Sequence, residues 1–340
     1  MTLWLDRAGS HGEQEAVALE EKIAVVGWDR LPDLGQVQTK EELQAILQKT
    51  YPDVKANTIY NWRGQLWAFS KRWEKGDWVV LPLKTRSAIA IGRVEGDYKY
   101  RPKGPEGAYH SRPVKWIRTD VPRTAFDQDL LYSFGAFLTV CEISRNNAEE
   151  RILAVLHGKQ PPSPSPSSTG EEEGPEPMEV PNLEENARDQ IRQHISQKFK
   201  GHDLERLVDE ILKSQGYKTE RVPAGPDGGI DIIAGRGPMG FDPPRLCVQV
   251  KSGDSPADVN DVRELQGVLG RFRAEQGLFV SWSGFKGHVN KESLQDFFLI
   301  RLWDSDDLLL ALFENYDKLS EDITAEVPLK KIWTLVLPEE

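Results

Sequence analysis

In the first half of the chain, short apolar runs are separated by glycine, proline and aspartate. KIAVVGW (22–28), GDWVVLPL (76–83), SAIAIGRVEG (87–96) and RPVKWI (112–117) are each about one strand long. That rhythm predicts a compact β barrel or strongly bent sheet. Two segments change the period. TKEELQAILQKTYP (39–52) opens on a threonine with a glutamate three residues on, a helix-start signature. NTIYNWRGQLWAFSKRW (57–73) sets Ile59, Trp62, Leu66 and Phe69 near one face at helical spacing. The expected N-terminal fold is therefore α+β around a β barrel.

The pattern stops at GKQPPSPSPSSTGEEEGPEPMEVP (158–181), which is rich in Pro, Ser and Glu and has no hydrophobic period. Such a stretch cannot repay its ordering entropy by burial, so it reads as an extended tether. Beyond it, LEENARDQIRQHISQKF (183–199) and HDLERLVDEILKSQG (202–216) have helical spacing, the second stopping at Gly216. KTERVPA, GIDIIAG and RLCVQVKS then predict strands. A helix in DVNDVRELQGVLGRF, a strand in GLFVSWS, a helix near HVNKESLQDFF, a strand in LIRLW and a helix in DDLLLALFENY complete the order. This predicts an α/β domain, a mixed sheet flanked by helices. The expected organisation is residues 1–157 and 183–340 as domains, with 158–182 as linker. A length of 340 residues suits two cores.

Charge changes the picture once it is divided. The net charge of -11 opposes a nucleic-acid partner, yet residues 84–123 hold 10 basic and 4 acidic side chains. A basic surface is thus available to phosphates. No window approaches a membrane span, and the start MTLWLDRAGSHGEQE lacks a signal-peptide pattern, so no membrane partner and a cytoplasmic location are expected. Only Cys141 and Cys247 are present, and the six histidines are scattered, which excludes a disulfide framework and a thiolate zinc site. No GxxxxGK[ST] stretch occurs, so no ATP use is expected.

The segment richest in chemistry is Gly225-Pro226-Asp227-Gly228-Gly229-Ile230-Asp231, followed eighteen positions on by Gln249-Val250-Lys251. If RLCVQVKS is a strand, Gln249 and Lys251 share one face, and a neighbouring strand can bring Asp231 beside them. An acid, an amide and an ammonium together suit phosphodiester hydrolysis, where a cation must neutralise developing charge and a water must be activated. Asp231 would anchor the metal, with the Gln249 amide oxygen and the Val250 carbonyl as further hard ligands for Mg²⁺, or Mn²⁺ in its place. Lys251 would hold or deprotonate the water and stabilise the transition state. Because Gln brings no charge, a second carboxylate is wanted. Glu205 on the preceding helix is the best candidate, ahead of Asp209 and Glu210.

LERLVDEILKSQGY, GPDGGIDIIAG, CVQVKSG, RELQG, GLFVSWSGF and LIRLWDSDDLLLAL resemble, in order, the Mrr-type branch of the PD-(D/E)XK nucleases over about residues 200 to 315. In that branch the final acid-x-Lys becomes Gln-x-Lys, as Gln249 and Lys251 stand here. The resemblance implies a restriction-endonuclease-like sheet and Glu205, Asp231, Gln249 and Lys251 as the active set, with Asp227 in support. Leu204 stands where the family often has an aromatic residue.

Seven of the ten tryptophans lie in the first half. Trp62, Trp67 and Trp78 fit core positions. GWDRLPDL, GDWVVLP, AIGRVEGDYKY and RPVKWI are similar to the PUA-like barrels, including EVE and YTH-type modules, that hold modified bases. The resemblance implies an aromatic pocket, for which Trp28, Tyr98, Tyr100 and Trp116 are candidates, with Arg93, Lys99, Arg101, Lys103 and Arg112 placed to contact phosphates. The expected function is a Mg²⁺-dependent, modification-dependent restriction endonuclease acting on double-stranded DNA. Because two strands need two active sites, a homodimer is expected. Two other functions fit the same features: a repair or structure-selective nuclease, and a non-catalytic nucleic-acid-binding protein.

Overall fold

The structure, a computed structural model, describes residues 1–135, 138–158, 183–223, 229–289 and 295–332. It divides into two compact units. Among the described residues, one comprises 1–121, 126–135, 138–158 and 183–186, and the other 122–125, 187–223, 229–289 and 295–332. None of the helices among the described residues is long and apolar enough to cross a membrane.

The N-terminal unit is built on one curled sheet of seven strands: β1 (Leu3–Asp6), β2 (Ile23–Val26), β3 (Trp78–Pro82), β4 (Ala88–Val94), β5 (Lys99–Tyr100), β6 (His110–Pro122) and β7 (Val140–Glu142). Their order is β2-β6-β4-β3-β1-β7, with β5 paired to β6. β1 runs parallel to β3 and antiparallel to β7. The four apolar runs of the sequence are therefore strands, as their length requires.

The Lys40–Thr50 helix starts where expected, the Thr39 side chain accepting from the Glu42 amide at 3.1 Å. The next helix ends sooner than its apolar spacing predicts. Ala56–Trp67 is α-helical, and Ala68–Arg72 widens into a π turn. That widening presents the Phe69 and Ser70 carbonyls to the Arg112 side chain, at 2.5 and 3.1 Å. The core beneath holds Trp4, Leu34, Leu66, Phe69, Trp73, Val79 and Val114.

Asp6, at the end of β1, is fully buried. One of its oxygens accepts from the Val25 amide at 3.3 Å, while the other has no hydrogen-bond partner. Burial pushes its carboxyl up to about 8. A folded-state value above the unfolded one means that the stability it contributes is complete below about 4, declines as pH rises, and is gone above about 8. The slope is at most about 1.4 kcal/mol per pH unit. Asp6→Asn, which mimics the protonated acid, is therefore expected to gain thermal stability relative to wild type between pH 5 and 9. Melting curves of the full chain across that range check it; parallel pH profiles for the two proteins would refute it.

The C-terminal unit carries a five-stranded mixed sheet of β8 (Lys218–Arg221), β9 (Ile232–Arg236), β10 (Asp242–Lys251), β11 (Gln276–Ser281) and β12 (Ile300–Trp303), in the order β12-β11-β10-β9-β8. β10, β11 and β12 are parallel, while β9 and β8 are antiparallel to their neighbours. Every strand expected in this half forms. The helix expected near 288–298 falls partly on residues outside those described, and 295–299 are turn.

One face of the sheet is covered by the Leu183–Lys198, His202–Ser214 and Ser305–Asn315 helices. Ile195, Leu207, Ile211, Leu308 and Leu312 pack there against Ile232, Val248 and Val280. The Val259–Phe272 helix covers the other, where Leu265 and Leu269 meet Cys247 and Phe279. That helix and Ser305–Asn315 both begin with a capping box, on Asp258 with Asp261 and on Asp304 with Asp307.

Candidate active site

The site forms where β9 and β10 run side by side. Asp231, just ahead of β9, is held on both flanks: its amide donates to the Val248 carbonyl at 2.9 Å, and its carbonyl accepts from the Val222 amide at 2.8 Å. Its carboxylate accepts from the Val250 amide at 2.6 Å. The acid thus sits against the strand that carries the amide and the ammonium.

On β10, Leu246, Val248 and Val250 join one core layer and Cys247 the opposite one. The pleat sends Gln249 and Lys251 to the Cys247 side. In register across β11 they lie beside Phe279 and Ser281. Lys251 pairs with Asp261 on the Val259–Phe272 helix, its Nζ 5.9 Å from the Phe279 ring centre.

Glu205 stands on the first turn of the His202–Ser214 helix, bonded to His202 Nδ1 at 2.8 Å. Its charge reaches Asp231. Burial pushes the Asp231 carboxyl up to about 6, the Val250 amide counteracts, and the Glu205 carboxylate adds to the rise. The weaker carboxylate candidates, Asp209 and Glu210, are paired with Lys213 at 2.8 and 2.9 Å. Asp227 lies outside the described residues.

Do these groups fit a divalent cation? Gln249 is buried, and its Oε1 has no hydrogen-bond partner. An unmatched buried amide oxygen, on the strand whose Val250 amide bonds the Asp231 carboxylate, is a donor that a hard cation would satisfy. Among the described residues no three His, Cys, Asp or Glu side chains gather as a metal cluster.

Gly229 shapes this corner. Its φ is +76°, and a Cβ there would lie 2.9 Å from Gln249 Nε2. Gly229→Ala is thus expected to strain the backbone and displace the Gln249 amide. Misplacement of a reacting group by about 1 Å can cost as much as about 100-fold. We expect cleavage to fall about 10- to 100-fold with the fold retained, measured as initial rates alongside circular dichroism.

In the N-terminal unit, the reader candidates divide. Trp28, with φ at +63°, packs edge-on against Trp62 at 5.7 Å. Tyr98 and Tyr100 flank the ring of His110 at 6.0 and 5.3 Å. The Tyr98 hydroxyl lies 2.7 Å from His110 Nδ1 and accepts from the Leu34 amide at 3.1 Å. Burial lowers the His110 pKa, keeping the ring neutral near pH 7. Trp116 does not belong with them: its indole N–H donates to the Ala18 carbonyl at 2.9 Å, and its ring packs over Gly92 in the core.

The phosphate candidates divide as well. Arg112 is only 3% exposed, with its guanidinium bonded to the Phe69, Ser70 and Gly96 carbonyls. It is a structural cation with no face left for a phosphate. Arg93 lies over the Trp78 ring at 4.0 Å and donates to the Gly76 carbonyl, while Arg101 pairs with Glu21. Lys99 and Lys103 are exposed.

Comparison with known families decides the second half. Residues 196–312 match the profile Mrr_cat, described as restriction endonuclease. The C-terminal unit carries a restriction endonuclease domain. Residues 4–131 match a domain of unknown function, DUF8426. No curated protein matches the chain.

Among solved structures it is similar to the DNA modification-dependent restriction endonuclease AspBHI, with 15% identity, TM-score 0.34, 90% of this chain and 79% of that one. It is also similar to the MspJI restriction endonuclease in complex with a 27-mer oligonucleotide, with 15% identity, TM-score 0.31, 74% of this chain and 63% of that one. A crystal structure of a protein of unknown function matches at 14% identity and TM-score 0.26, over 32% of this chain and 64% of that one.

Sequence reasoning missed two groups beside the nuclease site, His202 and Asp261. Both had a signal: His202 stands three residues before Glu205, and Asp258-x-x-Asp261 is a capping pattern.

Proposed function

We propose that the chain cleaves modified double-stranded DNA with a divalent cation, Mg²⁺ or Mn²⁺, at the centre formed by Asp231, Gln249, Lys251 and Glu205. The observation that carries this reading is the Asp231 carboxylate bonded to the Val250 amide, on the strand that bears Gln249 and Lys251 inside the nuclease domain. Asp231, Glu205, the Gln249 amide oxygen and the Val250 carbonyl would hold the ion, with Asp227 in support. When bound, such an ion supplies positive charge to the phosphate and acidity to water.

The chain's own groups do the remainder. Asp231 and Glu205 bring negative charge to one point and so select a cation. Gln249 presents a neutral oxygen without adding to that charge. Lys251 orients the attacking water and offers an ammonium to the phosphorane-like charge that develops as the phosphodiester breaks.

For substrate choice, the reading assigns recognition to the N-terminal unit as a PUA-like module. Trp28, Tyr98 and Tyr100 are aromatic surfaces of the kind that stack on an extruded base. Tyr98 and Tyr100 converge on the neutral ring of His110, which supports the reading. The exposed Lys99 and Lys103 would meet the DNA backbone nearby. A homodimer on DNA would supply two centres for two strands.

The test is cleavage of one duplex sequence carrying cytosine, 5-methylcytosine or 5-hydroxymethylcytosine, with Mg²⁺ present. Faster cleavage of a modified duplex supports the reading. Equal rates on all three would remove modification dependence and leave a nuclease that reads sequence or shape.

A further inference from the structure

Lys251 is not left to solvent. Its ammonium is paired with the Asp261 carboxylate through Oδ1 and lies 5.9 Å from the Phe279 ring centre. The second Asp261 oxygen accepts from the Asp258 amide at 2.7 Å and closes the capping box of the Val259–Phe272 helix. The helix cap needs only this second oxygen. The first is therefore available for the lysine, and Asp261 ties the end of β10 to the start of the helix.

The location sharpens the point. A helix N-terminus carries a partial positive charge, which repels an ammonium brought close to it. Asp261, the third residue of the helix, puts a full negative charge between the two. Without it, the lysine would turn away from the helix and lose its fixed orientation.

We propose that Asp261 is a positioning residue for Lys251, holding its ammonium in the one direction from which it meets the scissile phosphate and its water. The inference rests on Lys251 acting in the nuclease site. Asp261 touches neither DNA nor water in this role; it acts through the lysine.

The experiment compares full-length wild type with Asp261→Asn, Asp261→Glu, Asp258→Ala and Lys251→Ala, reading kcat and KM on a cleavable plasmid with Mg²⁺, DNA affinity in EDTA, and melting temperature. Outer partners of reacting groups typically carry about 10- to 100-fold in activity. Asp261→Asn should lower kcat about tenfold, leaving KM and the EDTA affinity unchanged, and Asp261→Glu should recover most of that loss. Asp258→Ala removes the cap's other half, so it should lower the melting temperature while kcat stays at the wild-type value.

Wild-type kcat in Asp261→Asn, with Lys251→Ala inactive, would overturn the inference and leave the site intact. Loss of kcat in Asp258→Ala in step with its melting temperature, matching Asp261→Asn, would overturn it in favour of a purely structural cap. An active Lys251→Ala would bring down the reading of the site and this inference with it.

Discussion

Lys251→Ala is expected to lower DNA cleavage by at least about 1,000-fold while the protein still folds and binds DNA. The reason is electrostatic. Lys251 is the cation that β10 carries on the same side as Gln249, and charge developing on the phosphate must be met by a preformed donor. A single such donor carries about 100- to 1,000-fold, and a group that also handles the water carries more. The side chain is half-buried and its partner Asp261 is itself partly exposed, so its removal leaves no deeply buried, uncompensated charge. The melting temperature should move little. Initial rates on supercoiled plasmid, with binding measured in EDTA, separate a chemical loss from a binding loss.

The second large effect is expected at Asp231. Its carboxyl is raised to about 6, and only the carboxylate can ligate a hard cation. As pH falls through about 6, protons compete for the site, and cleavage at subsaturating Mg²⁺ should fall by up to tenfold per pH unit. Raising Mg²⁺ should restore the rate, because ligation and protonation exclude each other. Asp231→Asn removes the charge at every pH and should abolish cleavage across the range, again by about 1,000-fold or more. Rate profiles from pH 5 to 8 at two Mg²⁺ concentrations check the pair. A wild-type profile that is flat below 6.5 at low Mg²⁺ would contradict the assignment.

Much of the C-terminal half was legible because its signals are local. The alternation in RLCVQVKS fixes which side chains share a face, and Gln249 and Lys251 do lie opposite Val248 and Val250. Bringing Asp231 to that strand required only that GIDIIAG be its neighbour, which the short connection favours. The N-terminal half was less legible, because its outcome depends on distant partners. Nothing near Arg112 in the sequence announces that a π turn forty residues earlier offers it two carbonyls. Trp116 and Tyr98 look alike as aromatic residues between polar neighbours, yet one donates into the core at Ala18 and the other meets His110. Asp261 was hidden for another reason. A carboxylate at the third position of a helix is already explained by the cap, and only the fold reveals that its other oxygen meets Lys251.

The central claim is that Asp231 and Gln249 grip one divalent ion beside Lys251. It is tested most directly by titrating Mn²⁺ into the DNA-free protein and following the bound fraction by electron paramagnetic resonance, in wild type, Asp231→Asn and Gln249→Leu. Saturable binding is expected in wild type, loss of that binding in Asp231→Asn and clear weakening in Gln249→Leu. Equal Mn²⁺ binding by all three proteins would contradict it.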